Sequence, residues 1–168
     1  GTIANGGRYL APRVITRIED KDGKLLEEFK PASPERALDV TAAQQLRDAL
    51  RGVVDKGTGA AIRSRYGITA DVAGKTGTTQ DNTDGWFILM HPQLVAGAWA
   101  GFNDGRITLR SDYWGQGAHS ALPMVGDVFR QALRAKVIDA RERFVDEEES
   151  SWIGSAAGTL RDRKSVVE

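Results

Sequence analysis

The sequence predicts an α+β fold with a mainly antiparallel sheet covered by helices, and three observations carry that prediction. A hairpin signal lies near the start of the chain. Two strongly apolar segments, residues 86–90 and 94–102, are separated only by His91-Pro92-Gln93. Apolar residues recur at helical spacing in the segments after Thr41 and after Pro123. The order hairpin, helix, strands, helix argues against alternating βαβ units and for an antiparallel sheet.

The elements follow in order. Asn5-Gly6-Gly7 reads as a helix C-cap, so the chain opens on the end of a helix and looks like an excerpt. Residues 13–18 are β-branched and alternating, Asp22-Gly23 is a hairpin turn signal, and residues 25–29 answer as the second strand. Pro31 and Pro34 mark a loop. Thr41-Ala-Ala-Gln44 has the form of a capping box, followed by Leu46, Ala49, Leu50, Val53 and Val54 on one helical face. Gly57 and Gly59 end that helix. The paired strands 86–90 and 94–102 are apolar on both faces, which predicts a sheet covered on both sides. Residues 107–109 offer a further short strand. Pro123 suits a first helical turn, and Met124, Val125, Val128, Phe129, Ala132, Leu133 and Val137 form an amphipathic helix. Residues 1–138 are therefore read as the folded part and 139–168 as a charged, mobile tail.

Composition narrows the function. The chain has 168 residues, 23 basic and 23 acidic side chains and zero formal net charge, so no global field recruits nucleic acid or an anionic membrane. It has no cysteine, which excludes thiolate catalysis, disulfides and cysteine zinc sites. The longest apolar stretch is about half of a membrane-spanning helix, so no membrane contact is expected from this segment.

One stretch carries chemistry: Ala73-Gly74-Lys75-Thr76-Gly77-Thr78-Thr79. A point charge, several hydroxyls and glycines that allow close approach suit an anion. Gly74-Lys75-Thr76 matches the end of a phosphate loop, but that pattern needs glycine where Thr69 stands and a helix immediately after it. The favoured reading is a strand, with Thr76 and Thr78 on one side and Lys75 on the other. Gly77 then bares the strand edge, so an extended substrate can pair along it. A free amide at that edge could polarise a carbonyl.

The run Lys75-Thr-Gly-Thr-Thr-Gln-Asp-Asn-Thr-Asp-Gly-Trp-Phe87 resembles the third motif of the penicillin-binding proteins, most closely the class A, bifunctional members. Ile3-Ala-Asn-Gly-Gly7, Leu50-Arg-Gly-Val-Val-Asp-Lys-Gly-Thr-Gly59, Leu94-Val-Ala-Gly-Ala-Trp-Ala-Gly-Phe102 and Gly115-Gln-Gly-Ala-His-Ser-Ala-Leu-Pro123 resemble that family in its order, from Gly1 to about Ala135. The resemblance implies part of a transpeptidase fold shared with serine β-lactamases. It implies Lys75 and the Thr78 backbone amide as catalytic groups, in the proton relay and oxyanion hole respectively. Thr76 and Thr78 would hold a substrate carboxylate, and Gly77 would permit its approach. Thr79, Asp84 and Trp86 match the family pattern, and their role is read as shaping and packing the turn.

The family's other two motifs, S-x-x-K and S-x-N, do not occur; Ser33 with Arg36 comes nearest, and a guanidinium cannot serve as a base. The resemblance therefore implies the C-terminal part of the domain, lacking the serine-bearing half and inactive alone. The strands kept here would expose apolar surface, so the chain alone should be marginally stable or self-associate. A sharp, reversible, monomeric melt would count against that.

For the intact protein the resemblance implies a serine D,D-transpeptidase. It would cross-link peptidoglycan stem peptides ending in D-Ala-D-Ala and be acylated by β-lactams. It would be anchored on the cell-wall side of the membrane, with no metal or organic cofactor. The rival is a non-catalytic peptide- or partner-binding module that keeps the carboxylate cradle. Among lesser candidates, Asn82-Thr-Asp84-Gly85 resembles part of a calcium loop but lacks its closing acid. His91 and His119 lack ligand partners at useful spacing, and Trp86, Trp99 and Phe102 read as core.

Overall fold

The computed structural model describes residues 1–144. The greater part of the predicted tail, 145–168, lies outside the described residues. The chain does open on a helix-ending turn: the Asn5 amide donates to the Gly1 carbonyl and the Gly7 amide to that of Thr2, both at 2.9 Å. Gly6 and Gly7 follow with φ of +61° and +86°, where a side chain would be strained.

Short strands come next: β1 (Arg8–Tyr9), β2 (Arg17–Glu19), β3 (Leu25–Glu28) and β4 (Glu35–Arg36). β2 and β3 form the predicted hairpin, with a register shift between Ile18 and Glu19. The strand expected over 13–18 is shorter and displaced towards the turn. β1 pairs with β4 across the hairpin, a pairing with no apolar alternation to announce it.

The long helix α1 (Val40–Lys56) starts earlier than the Thr41–Gln44 pattern implies. Asp39 is its N-cap, and its carboxylate accepts from the Thr41 and Ala42 amides at 2.9 and 3.3 Å. A carboxylate at the positive end of the helix dipole outcompetes a hydroxyl further in. The stop holds as predicted, since the Gly57 and Gly59 amides both donate to the Val53 carbonyl at 3.1 and 3.0 Å. A short helix, α2 (Ala61–Ser64), leads to the main sheet of β5 (Ala73–Thr78), β6 (Asp84–His91) and β7 (Leu94–Gly101). This sheet is antiparallel in the order β5-β6-β7, with Lys75 opposite Ile88 and Trp86 opposite Trp99. Residues 107–109 form no strand; the Leu109 amide instead ties back to the Asn82 carbonyl at 3.0 Å.

Helices α3 (Gly117–Ser120) and α4 (Leu122–Arg134) close one face of the sheet. Leu122, Val125 and Phe129 of α4 meet Phe87 and Leu89 of β6, Val54 of α1 and Ile62 of α2 in one buried cluster. Met124 and Val128, placed on the same stripe by periodicity, fall beside it and are exposed. The expectation of a sheet covered on both sides holds on the second face only at one end, where Ala73 and Met90 are buried, and not along the rest of it among the described residues. Trp86, Ile88, Val95 and Trp99 lie on the other face and are 39–46% exposed. Continuous apolarity marks a strand that wants two covers, but α3 and α4 pack on the same face. Trp86, Trp99 and Phe102 are therefore not core here.

At the far end, a second small cluster joins Ala73, Met90, Leu50, Ile3 and Phe144. Phe144 is buried, its amide donates to Asp71 Oδ2 at 3.0 Å, and the guanidiniums of Arg47 and Arg51 lie 5.4 and 5.5 Å from its ring centroid. Phe144 is thus packed while residues 140–143 before it are exposed, so one aromatic anchors the start of a segment whose charges remain in solvent.

That end of the molecule is acid-sensitive by construction. Burial pushes the Asp71 carboxyl up, but the bidentate Arg51 contact and the Phe144 amide more than offset this, holding it below the usual 3.8. His91 is fully buried with Nδ1 accepting from the Gln93 amide, and burial pushes its imidazole below 6.5. The unfolded chain takes up a proton at His91 before the folded one does, so stability falls as pH drops below 6.5. Asp71 contributes stability that is present in full above 3.8 and lost as pH falls through its lower folded value, a second acid step. Urea unfolding across pH should show the upper step, and His91→Leu should abolish it. An unchanged pH profile in that variant would exclude His91 as its source.

Candidate functional site

β5 has β6 on one side and a free edge on the other among the described residues. Ladder alternation defines that edge. The Thr79 amide donates inward to the Asp84 carbonyl at 3.1 Å, so the pleat turns the Thr78 and Thr76 amides away from β6. The Thr76 carbonyl faces the same way and accepts from Lys75 Nζ at 2.6 Å. Lys75 is exposed, and among the described residues it makes no ion pair with a carboxylate. Its charge therefore remains available beside the edge.

The predicted division of side chains is present: Lys75 and Gly77 point to the open face, Thr76 and Thr78 to the helix-covered face. Thr76 is 8% exposed, and its hydroxyl lies 2.6 Å from that of Thr58. Thr78 is exposed, and its hydroxyl accepts from the Gly117 amide at the start of α3 at 3.2 Å. A Cβ on Gly77 would stand 3.0 Å from Trp86 Cβ, so the open face at this point is kept bare. Lys75, Thr76, Gly77 and Thr78 are thus one continuous strip of strand edge.

The support beneath the strip was only partly visible in sequence. A Cβ on Gly117 would lie 2.2 Å from the Trp86 carbonyl oxygen and 2.4 Å from that of Gly77, so α3 rests backbone on backbone against β5 and β6. Gly85 meets Ser120 Oγ as closely, at 2.2 Å for a Cβ. Thr58, Gly85 and Gly117 carried no assigned role from sequence. The repeated glycines of 115–117 and the Gly57-Thr58-Gly59 turn were the available signals.

Beyond the strip, Thr79 and Thr83 hydroxyls lie 2.6 Å apart, and the Asp84 amide donates to Thr79 Oγ1 at 2.8 Å. Asp84 Oδ1 accepts from Trp99 Nε1 at 2.7 Å. Thr79 and Asp84 thus shape the turn, as their sequence context suggested, and Asp84 is employed as a hydrogen-bond acceptor. His119 stacks on Tyr113 with ring centroids 3.8 Å apart. The phosphate-loop reading fails, because Gly74-Lys75-Thr76 lies inside a strand rather than opening a helix.

Residues 1–95 match the family model of the penicillin binding protein transpeptidase domain. Penicillin-binding protein 1A of Neisseria gonorrhoeae is 36% identical over 140 residues, covering 80% of this chain and 17% of that protein. The chain therefore spans about a sixth of the length of that curated relative. The D,D-transpeptidase domain of a peptidoglycan glycosyltransferase from Eggerthella lenta superposes with a TM-score of 0.58 at 28% identity, over 80% of this chain and 30% of that one. Penicillin-binding protein 1A from Haemophilus influenzae has the same fold, with a TM-score of 0.74 at 23% identity over 86% of this chain and 26% of its own. The chain, with its lysine-led strip along a sheet edge, belongs to the penicillin-binding protein transpeptidase family.

Proposed function

We propose that this chain contributes the third-motif strand to a serine D,D-transpeptidase of the class A type, and that residues 1–138 form the C-terminal part of that domain. The observation that carries the reading is the edge of β5, unpaired among the described residues, with outward Thr76 and Thr78 amides beside an ammonium that no carboxylate among those residues neutralises. A peptide ending in D-Ala-D-Ala would lie along this edge as an added strand. Thr76 and Thr78 would seat its terminal carboxylate near Lys75.

The nucleophile would be a serine outside this sequence. Its oxygen would attack the penultimate carbonyl carbon, and the developing oxyanion would meet the Thr78 amide. The peptide C–N bond would break, with D-alanine leaving as the protonated amine and an acyl-serine ester remaining. An acceptor amine from a neighbouring strand would then attack the ester and regenerate the serine. Lys75 would help carry the proton released by the serine towards the leaving group. A β-lactam would acylate the same serine through ring opening. No metal or organic cofactor enters these steps. The protein would work on the cell-wall side of the membrane, in the periplasm, anchored through another part of the polypeptide.

A fluorescent penicillin tests this. The full-length polypeptide should label covalently, with labelling blocked by unlabelled β-lactam, while residues 1–168 alone should not label. Reversible retention without covalent capture by the full-length polypeptide would favour the binding-module alternative.

A further inference from the structure

The loop 102–116, between β7 and α3, carries an aromatic cluster that the proposed chemistry leaves unused. Tyr113 and Trp114 are 55% and 57% exposed, yet both rings are held. Tyr113 stacks on His119, whose Nδ1 donates to the Tyr113 carbonyl at 2.9 Å. Trp114 meets Tyr113 at 89° with ring centroids 5.1 Å apart, and its amide donates to Ser111 Oγ at 3.2 Å. An exposed indole fixed in this way loses little conformational freedom on binding. The loop is also fastened to the turn after β5. A Cβ on Gly115 would stand 2.3 Å from Asn82 Cβ, and Asn82 Nδ2 donates to Asp112 Oδ1 at 3.1 Å. The cluster therefore lies beyond the Thr78 end of the strip.

The direction of the substrate brings its far end to that cluster. With the terminal carboxylate near Lys75 and the attacked carbonyl on the Thr78 amide, a strand-added peptide runs antiparallel to β5. Its earlier residues then continue past Thr78 towards the turn and the loop. About three residues separate the attacked carbonyl from the sugar that bears the stem, so an extended stem carries that sugar about 10 Å further on. A sugar ring presents an apolar C–H face between hydroxyl and acetamide edges. Trp114 offers a flat apolar surface, and the exposed Arg110, Asp112 and Gln116 near it in the loop offer hydrogen-bonding groups. Two rings fall far short of the area that a stable protein interface buries. We propose that Trp114, backed by Tyr113, is a glycan-binding residue that stacks on the N-acetylated sugar ring from which the stem peptide hangs. The proposal rests on the transpeptidase reading and adds a sugar subsite to it.

The test compares two probes on the full-length polypeptide: a free stem pentapeptide ending in D-Ala-D-Ala, and the same pentapeptide carried on its disaccharide. Release of D-alanine is followed with each. The unsubstituted protein should show the higher kcat/KM with the sugar-bearing probe. Trp114→Ala should shrink the ratio of the two values by about 2- to 10-fold, the size of one aromatic stacking contact. Trp114→Phe, which keeps a flat ring, should restore most of it, and thermal melts should show that both variants fold. Equal kcat/KM for the two probes in the unsubstituted protein, an unchanged ratio in Trp114→Ala, or an equal loss with both probes would overturn the proposal. Failure of the unsubstituted protein to release D-alanine from either probe would instead overturn the transpeptidase reading, and the sugar subsite with it.

Discussion

Lys75→Ala in the full-length polypeptide should slow acylation by a fluorescent penicillin by about 10²- to 10⁴-fold, the range general acid–base groups contribute. The expectation rests on position. Lys75 stands at the free edge of β5, bonds only the neighbouring Thr76 carbonyl, and makes no ion pair with a carboxylate among the described residues. A lysine retained for stability would be expected to find an acid or to lie along apolar surface. Lys75→Arg separates two roles. It keeps the charge near the substrate carboxylate but cannot release a proton at working pH. Recovery by arginine would assign Lys75 to electrostatic binding, and continued loss would assign it to proton transfer. Wild-type rates in the alanine variant would remove Lys75 from the site.

Gly117→Ala should be strongly damaging for a single methyl group. Its Cβ would have to occupy space 2.2 Å from the Trp86 carbonyl oxygen and 2.4 Å from that of Gly77. Neither atom is the end of a flexible side chain, so α3 must lift away from the sheet. Overpacking of this kind costs about 3 kcal/mol at its upper end, and here the displacement also withdraws the Gly117 amide from Thr78 Oγ1, now 3.2 Å away. Both the melting temperature of the full-length protein's transpeptidase unit and its penicillin labelling should fall. Alanine at Gly105, where a Cβ meets nothing within 4 Å, should change neither and serves as the control. A variant at position 117 with native melting and labelling would show that α3 can shift without disturbing the strip.

Much of the site was legible because its parts are adjacent in sequence. Lys75, Thr76, Gly77 and Thr78 belong to one strand, and strand geometry alone assigns their faces. The strand pair 84–101 declared itself through continuous apolarity, and Gly57 and Gly59 marked the end of the long helix. The predicted capping box missed by two residues because Thr41 and Asp39 both suit a cap. The choice between them depends on which oxygen reaches the first free amides. Met124 and Val128 satisfied helical periodicity yet stayed exposed, since a broad apolar stripe does not say which part meets a partner.

The order of elements, the antiparallel pairing of the main strands and the identity of the chemistry-bearing segment are local properties, set by turn residues, side-chain period and apolar content. Which face of the sheet the helices cover is not local. Phe87 and Trp86 are neighbours in sequence, yet one is fully buried and the other is 46% exposed. That outcome required α3 and α4 to share a face. The Thr58–Thr76 contact joins residues 18 apart, and the Phe144–Asp71 bond joins residues 73 apart. Such contacts arise only when packed layers bring distant backbone together, because no propensity or spacing encodes the distance between two segments that meet solely through their common core.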